Sequence, residues 1–74
     1  MALTLTEYRL ATTLLVRHGD VVRRHTLVAA AWPPGAIVKD NTLDVYVARL
    51  RRALRTVGAA ERIETVRGVG YRLG

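Results

Sequence analysis

Apolar residues recur at three- and four-residue spacing near the start of the chain, which is the period of one face of an α-helix. The stripe, with Leu10 at its margin, consists of Tyr8, Ala11, Leu14 and Leu15. Thr6 is predicted to cap this helix, because Glu7 then lies in the first turn, where the helix dipole favours an acid. Gly19 is predicted to end the helix in a left-handed cap. Residues 3–5 are predicted to form a short strand before it.

A second helix is predicted after the β-branched pair Val21 and Val22, which indicates a brief strand. This helix should run from about Arg24 to Trp32. Its apolar face comprises Leu27, Val28, Ala31 and Trp32. Two prolines and a glycine follow directly and stop the helix. The loop that begins at Pro33 and ends at Lys39 then leads to the next element.

The third helix has the clearest two-sided pattern, from Thr42 to Val57, with Asp40 or Asn41 as its predicted cap. At 100° per residue its apolar positions lie within about 80° of one another. They are Leu43, Val47, Leu50, Leu54 and Val57. The opposite side carries Asn41, Val45, Ala48, Arg49, Arg52 and Thr56. Gly58 is predicted to end the helix.

The C-terminal segment predicts a β-hairpin, with arms at residues 63–66 and 71–73 around a turn that contains Gly68 and Gly70. The resulting order is strand, helix, strand, helix, helix and hairpin, which is an α+β fold. A chain of 74 residues is one small domain, and such a chain buries roughly 60% of its unfolded surface on folding.

Charge narrows the function. The net charge is +6, and eleven of the twelve basic residues are arginine, whose planar fork of donors suits phosphate and guanine edges. A basic excess also fits an acidic protein or a membrane surface. The chain has no cysteine and no serine. His18 and His25 are seven residues apart without further ligands, so neither a metal site nor a cofactor site nor catalysis is expected.

Four blocks in order resemble the OmpR/PhoB class of winged-helix effector domains of bacterial response regulators. The first is residues 5–8, and the second holds Gly19 and Trp32. The third begins Thr42-Leu43-Asp44-Val45 and includes Arg49 and Arg51, and the fourth is residues 65–71. The resemblance covers nearly the whole chain. It implies a winged helix-turn-helix fold and sequence-specific binding of double-stranded DNA in transcription regulation.

The resemblance also implies roles for single residues of the third helix, which would lie in the major groove. Arg49 and Arg52 would reach guanine edges, and Val45 would touch a thymine methyl group. Asn41 and Thr42, at the helix start, and Arg51, nearer the flank, are expected at phosphates. Asp44 is expected to be a charge at the helix start or a partner of Arg51.

The hairpin would act as the wing. Arg67, beside Gly68, is expected in a narrow minor groove, where A·T-rich tracts concentrate negative potential. Tyr71 is expected to bond to phosphate. Trp32 resembles a position that meets the DNA backbone or fills the edge of the core.

Members of the class usually carry a receiver domain with a phosphorylatable aspartate and a four-stranded sheet before this module. Neither is found in residues 1–74 beyond the sheet's last strand. The resemblance implies head-to-tail pairs on direct-repeat half-sites and a bacterial cytoplasmic location. It also points to RNA polymerase as a partner of the loop from Pro33 to Lys39, although that loop is mostly apolar.

Two alternatives belong to other classes. The same helix serves protein partners in some winged-helix modules, which would bind DNA weakly and with little dependence on salt. An amphipathic helix from Arg49 to Val57 would bind anionic membranes. Its weakness is that Leu50, Leu54 and Val57 are needed for the core.

Overall fold

The computed structural model describes residues 2–74 and contains three helices and three strands. In chain order these are α1 (Leu5–Val16), β1 (Val21–Arg23), α2 (Arg24–Ala31), α3 (Asp40–Thr56), β2 (Ile63–Val66) and β3 (Gly70–Leu73). This is the predicted order, except that no strand precedes α1 within the described residues. No helix of this part of the chain has the length and apolar character needed to cross a membrane.

The helix α1 begins earlier than predicted, because Thr4 and not Thr6 is its N-cap. The backbone N–H of Glu7 donates to Thr4 Oγ1 at 3.2 Å, and the backbone N–H of Thr4 donates to Glu7 Oε1 at 2.8 Å. This reciprocal capping box satisfies two backbone donors that a helix start otherwise leaves unpaired. Leu5 is therefore already helical, and the predicted strand at residues 3–5 is wrong.

The buried face of α1 also differs from the predicted stripe. Glu7, Leu10 and Leu14 are the buried residues, whereas Tyr8 and Leu15 are each 58% exposed. A carboxylate can occupy a position on this face because the capping box supplies it with a backbone donor. The predicted stripe was chosen from apolar residues alone and so left out Glu7. It therefore lies on a different side of the helix from the face that is buried.

Gly19 does not cap α1, which ends at Val16 with Arg17 as C-cap. It lies in the following turn at φ +90°, and its backbone N–H donates to the carbonyl oxygen of Leu73 at 2.8 Å. Gly19 thus joins the turn to the end of β3. The prediction of a left-handed conformation was right, but the prediction of its role was wrong.

The three strands form one antiparallel sheet in the order β1–β3–β2, so that the last strand of the chain is the central one. Val22 of β1 and Thr65 of β2 both lie opposite Tyr71. Gly68, at φ +74°, shapes the hairpin turn. Gly70 allows β3 to lie close to the backbone of β1, since a Cβ atom there would lie 2.0 Å from the carbonyl oxygen of Val22.

The core lies where the three helices meet the inner face of the sheet. Its buried side chains are Leu10, Leu14, Val22, Leu27, Ala31, Leu43, Val47, Leu50, Ile63, Tyr71 and Leu73. The helix α2 ends at Ala31 and not at Trp32, which is its half-buried C-cap. Most of the predicted face of α3 is buried, but Val57 is 69% exposed because it lies past the last helical residue.

The two ends of α3 are built differently. Its N-cap is Lys39, without a side-chain cap, so the prediction of Asp40 or Asn41 as cap is wrong. At the other end Gly58 has φ +70° and donates its N–H to Arg55, while Ala59 donates to Leu54. This pair of bonds is the Schellman arrangement. The prediction that Gly58 ends the helix is confirmed.

The two hairpin glycines should respond differently to an added methyl group. Gly70→Ala is expected to lower the free energy of unfolding by about 3 kcal/mol or to prevent folding, because the methyl group would collide with the backbone of β1. Gly68→Ala meets no atom within 4 Å and should cost only about 1 kcal/mol, for the left-handed conformation. Urea unfolding followed by circular dichroism measures both; equal losses would contradict the close-approach explanation.

Candidate nucleic-acid interface

One side of α3 is open to solvent along its whole length. Because Leu43, Val47 and Leu50 face the core, the 3.6-residue period turns the opposite positions outward. The exposed residues there are Asn41, Val45, Ala48, Arg49, Arg52, Arg55 and Thr56. Thr42 is half-buried at the helix start. The structure therefore brings the predicted base-contacting residues of α3 onto one accessible face, which we call the α3 face.

An aromatic pair borders the α3 face on the side of α2. The ring of Trp32 meets the ring of Tyr46 edge-on, with centroids 5.2 Å apart and an interplanar angle of 76°. The guanidinium of Arg49 lies 4.9 Å from the centroid of Tyr46. Trp32 and Tyr46 both pack against the core, so the position of Arg49 is tied to the core through them. Tyr46 therefore packs against the core and also contacts Arg49.

The wing hairpin borders the α3 face on the other side, and Arg51 joins the two. Its Nε donates to the carbonyl oxygen of Ile63 and its Nη2 donates to Thr65 Oγ1, both at 2.9 Å. Arg51 is half-buried, and within residues 2–74 its Nη1 has no hydrogen-bond partner. The side chain expected at phosphate is thus partly committed to holding the wing.

Asp44 has a different partner from the one expected. Its Oδ1 accepts from Arg24 Nη1 at 2.7 Å and from the hydroxyl of Tyr71. Arg24 Nη2 also donates to the carbonyl oxygen of Asp40 at 2.6 Å. The prediction that Asp44 pairs with Arg51 is wrong, since Arg24 reaches it from the start of α2. Tyr71 is only 4% exposed, and its hydroxyl, expected at phosphate, points to Asp44.

The network of Arg24, Asp44 and Tyr71 shifts the pKa of each member. The hydrogen bond from Arg24, followed by that from Tyr71, holds the pKa of Asp44 below its usual value. Burial raises the pKa of Tyr71, and its bond to Asp44 adds to the rise. The bond to Asp44 raises the pKa of Arg24. Each shift favours the charge state seen near neutral pH.

Arg67 stands at the tip of the wing, where it is exposed beside Gly68. Further along the hairpin, Arg72 pairs with Glu64 at 2.5 Å. The two arginines of the wing therefore differ, because the charge of Arg72 is balanced within the hairpin and that of Arg67 is not.

Sequence reasoning missed two features of this surface. Arg24 lies twenty positions before Asp44, and no periodic spacing connects an arginine at the start of one helix with an acid on another. A cleft of about 820 Å³ also opens between the start of α2, the loop and the wing turn, and it is lined by Arg23, His25, Lys39 and Gly68. A basic composition indicates that such residues are present but does not predict which of them lie together.

Residues 1–73 match the family described as "Transcriptional regulatory protein, C terminal". The chain belongs to this family. It is 43% identical over 67 residues to the transcriptional regulatory protein YxdJ of Bacillus subtilis, covering 90% of this chain and 29% of YxdJ. It is similar in structure to the DNA-binding domain of the response regulator AdeR, solved in complex with an intercistronic region (TM-score 0.86, 33% identity, 99% of this chain and 72% of that one). For the DNA-binding domain of B. subtilis CssR, the TM-score is 0.84 at 27% identity, over 99% of this chain and 78% of that one.

Membership confirms the predicted OmpR/PhoB-type effector domain and its winged-helix fold. The family description agrees with the predicted role in transcription regulation. The chain spans about a third of the length of the curated relatives that it matches, 29% for YxdJ.

Asp44→Asn should flatten the loss of stability on acidification. The pKa of Asp44 is lower in the folded protein than its ordinary 3.8, so its contribution is present above that pH and is lost as the pH falls through the folded value. In the wild type the free energy of unfolding should therefore fall more steeply below about pH 4 than in the variant.

Urea titrations at pH values between 2 and 6, in steps of ~0.5 pH unit, would measure this difference in the free energy of unfolding. Asp20→Asn provides a matched control, because it removes an exposed carboxylate that has no side-chain hydrogen bond within residues 2–74. If both variants follow the same pH profile, Asp44 is not held in its ionised form by Arg24 and Tyr71.

Proposed function

We propose that this domain binds double-stranded DNA sequence-specifically, with α3 in the major groove and the wing beside it, as the effector domain of a two-component response regulator. One observation carries the proposal: within the described residues, the α3 face exposes three arginines without hydrogen-bond or ion-pair partners, between an aromatic border and a wing whose tip carries a fourth. The major groove, about 12 Å wide, admits one α-helix. A helix with a basic exposed face and a packed apolar face suits that groove.

The α3 face supplies the base contacts in this proposal. Arg49 and Arg52 donate to the O6 and N7 atoms of guanine, and Val45, 47% exposed, touches a thymine methyl group. Asn41 and Thr42 hold phosphate at the start of the helix. The stacking of Arg49 on Tyr46 supports a fixed direction for its guanidinium.

The borders of the α3 face position it and add phosphate contacts. Arg67 enters the minor groove from the tip of the wing. Arg51 turns Nη1 to a phosphate while its other nitrogens hold β2. Tyr71 lies at the base of the wing, where its hydroxyl donates to Asp44. In this proposal only the outer edge of its ring is near the DNA backbone. Trp32 acts at the edge of the core and meets the backbone at its exposed part.

The wider assignments rest on the family and its named relatives. AdeR, a response regulator, was solved with DNA, and the relatives include response regulators about three times as long as this chain. We infer that the domain acts in the bacterial cytoplasm, joined to a receiver domain whose phosphorylation promotes head-to-tail pairs on direct-repeat half-sites. The loop from Pro33 to Lys39 offers RNA polymerase an apolar contact, since Ile37 is 96% exposed.

Selection from a randomised duplex pool, followed by titration at several salt concentrations, tests the proposal. Repeated half-sites should be enriched. With about four to six phosphate contacts, the slope of log K against log salt should be about −4 to −5. Binding without enrichment and with little salt dependence would favour a protein partner for the α3 face and would overturn the proposal.

Arg49→Ala and Arg52→Ala should each relax the preference at one base pair of the selected site. Loss of a bidentate contact to guanine is expected to lower discrimination there by about tenfold. Arg9→Ala, on the exposed side of α1, removes the same charge and should leave the preference intact. If all three variants lose affinity equally on every sequence, the α3 face makes no base contacts.

Arg67→Ala should act on the flank of the site and not on its centre. The variant is expected to lose about fivefold in affinity on A·T-rich flanks and little on G·C-rich flanks, because the narrow minor groove of an A-tract attracts arginine. Fluorescence anisotropy with duplexes that differ only in the flank measures this ratio. An unchanged ratio would remove the minor-groove role of Arg67.

A further inference from the structure

The wing and α3 touch through very few polar groups. Within residues 2–74, the hydrogen bonds between α3 and the hairpin are those of Arg51 with Ile63 and Thr65 and that of Tyr71 with Asp44. None of them joins backbone to backbone. The angle between the two DNA-facing elements therefore depends on side chains, which a substitution can remove without unfolding a helix or a strand.

Arg24 connects three elements at one point. Its backbone N–H donates to the carbonyl oxygen of Val69 in the wing turn at 3.2 Å. Its guanidinium bonds to Asp40 and Asp44 in the first turns of α3. One residue at the start of α2 thus holds both the turn of the wing and the end of α3 that would enter the groove first.

Tyr71 lies between two arginines at the base of the wing. The guanidinium of Arg24 is 5.9 Å from its ring centroid, and that of Arg51 is 5.8 Å away. The ring is buried in the core, and its hydroxyl lies within 3.5 Å of Arg24 Nη1. A buried ring with a bonded hydroxyl has a single orientation, so it transmits the position of α3 to β3.

We propose that Arg24, Asp44, Arg51 and Tyr71 form a clamp that sets the position of the wing relative to α3. In this proposal, which rests on the proposed function, Asp44 and Tyr71 are positioning residues for Arg67. Their contribution to DNA binding passes through the wing. A preorganised wing places its arginine in the minor groove without first ordering the hairpin on the DNA.

A double-mutant cycle between Tyr71 and Arg67 tests the clamp. Tyr71→Phe removes the hydroxyl and keeps the ring and the net charge. In the wild type, Arg67→Ala should cost about fivefold on an A·T-rich flank; in the Tyr71→Phe background it should cost less than about twofold, since coupled groups are not additive. Equal losses in both backgrounds would overturn the clamp. Tyr8→Phe, at an exposed position of α1, is the control. In that background Arg67→Ala should keep its full fivefold effect.

A second comparison controls for charge. Asp44→Asn and Glu64→Gln each remove one carboxylate that pairs with an arginine, but Glu64 lies within the hairpin and makes no bond to α3. Both variants raise the net charge by one and should gain similar general attraction to DNA. Only Asp44→Asn should lower the preference for A·T-rich flanks. A like loss in Glu64→Gln would show that charge, and not position, sets the preference.

Different results would overturn the proposed function and the clamp. If Arg49→Ala, Arg52→Ala and Arg67→Ala all leave binding unchanged, the proposed function fails. If those variants lose binding while the Tyr71 and Arg67 effects simply add, only the clamp fails. Circular dichroism of every variant at the binding temperature ensures that folded protein is compared. Should Tyr71→Phe not fold, the Asp44→Asn and Glu64→Gln pair decides the clamp by the flank preference alone.

Discussion

The hydroxyl of Tyr71 is the point at which the hydrophobic core and the basic surface meet. Tyr71 belongs to the central strand and is only 4% exposed, so its hydroxyl has little access to bulk water. An unbonded phenol hydroxyl at such a place would cost about 1–3 kcal/mol. Asp44 accepts its hydrogen bond, and the same carboxylate oxygen pairs with Arg24. The packing of the sheet against α3 therefore depends on an acid at the edge of a basic face.

Local physics made some parts of the fold predictable from sequence and left others out of reach. The outward face of α3 follows from a 3.6-residue period with a clean apolar stripe, and the end of the helix follows from the need for a left-handed residue at Gly58. The capping box at Thr4 is equally local, but it was not predicted, because Thr6 has a hydroxyl one residue before the same acid, Glu7. The partner of Asp44 was not predictable, because Arg24 and Tyr71 come from distant parts of the chain and meet only through the fold.

The candidate interface shows the same division. Periodicity alone gave the exposure of Arg49 and Arg52, and the turn chemistry of the hairpin gave the position of Arg67. The residues that hold these groups in place could be identified only from the tertiary structure. For Arg51, sequence spacing predicted a place at the flank of α3 but not its hydrogen bonds to β2. Burial of Tyr71 was equally hidden, since a strand of four residues with a glycine at its start has no clear alternation.

The arginines of this domain divide into two groups, which limits what the basic composition means for binding. Arg24, Arg51, Arg62 and Arg72 spend donors on carbonyl or carboxylate oxygens of the chain itself. The other arginines are exposed, and their side chains make no such bonds within the described residues; they are Arg9, Arg17, Arg23, Arg49, Arg52, Arg55 and Arg67. Counterion release counts only the cations that replace salt at phosphates. A chain with twelve basic residues is therefore expected to give a salt slope well below that number, because part of its positive charge is directed at oxygen atoms of the chain itself.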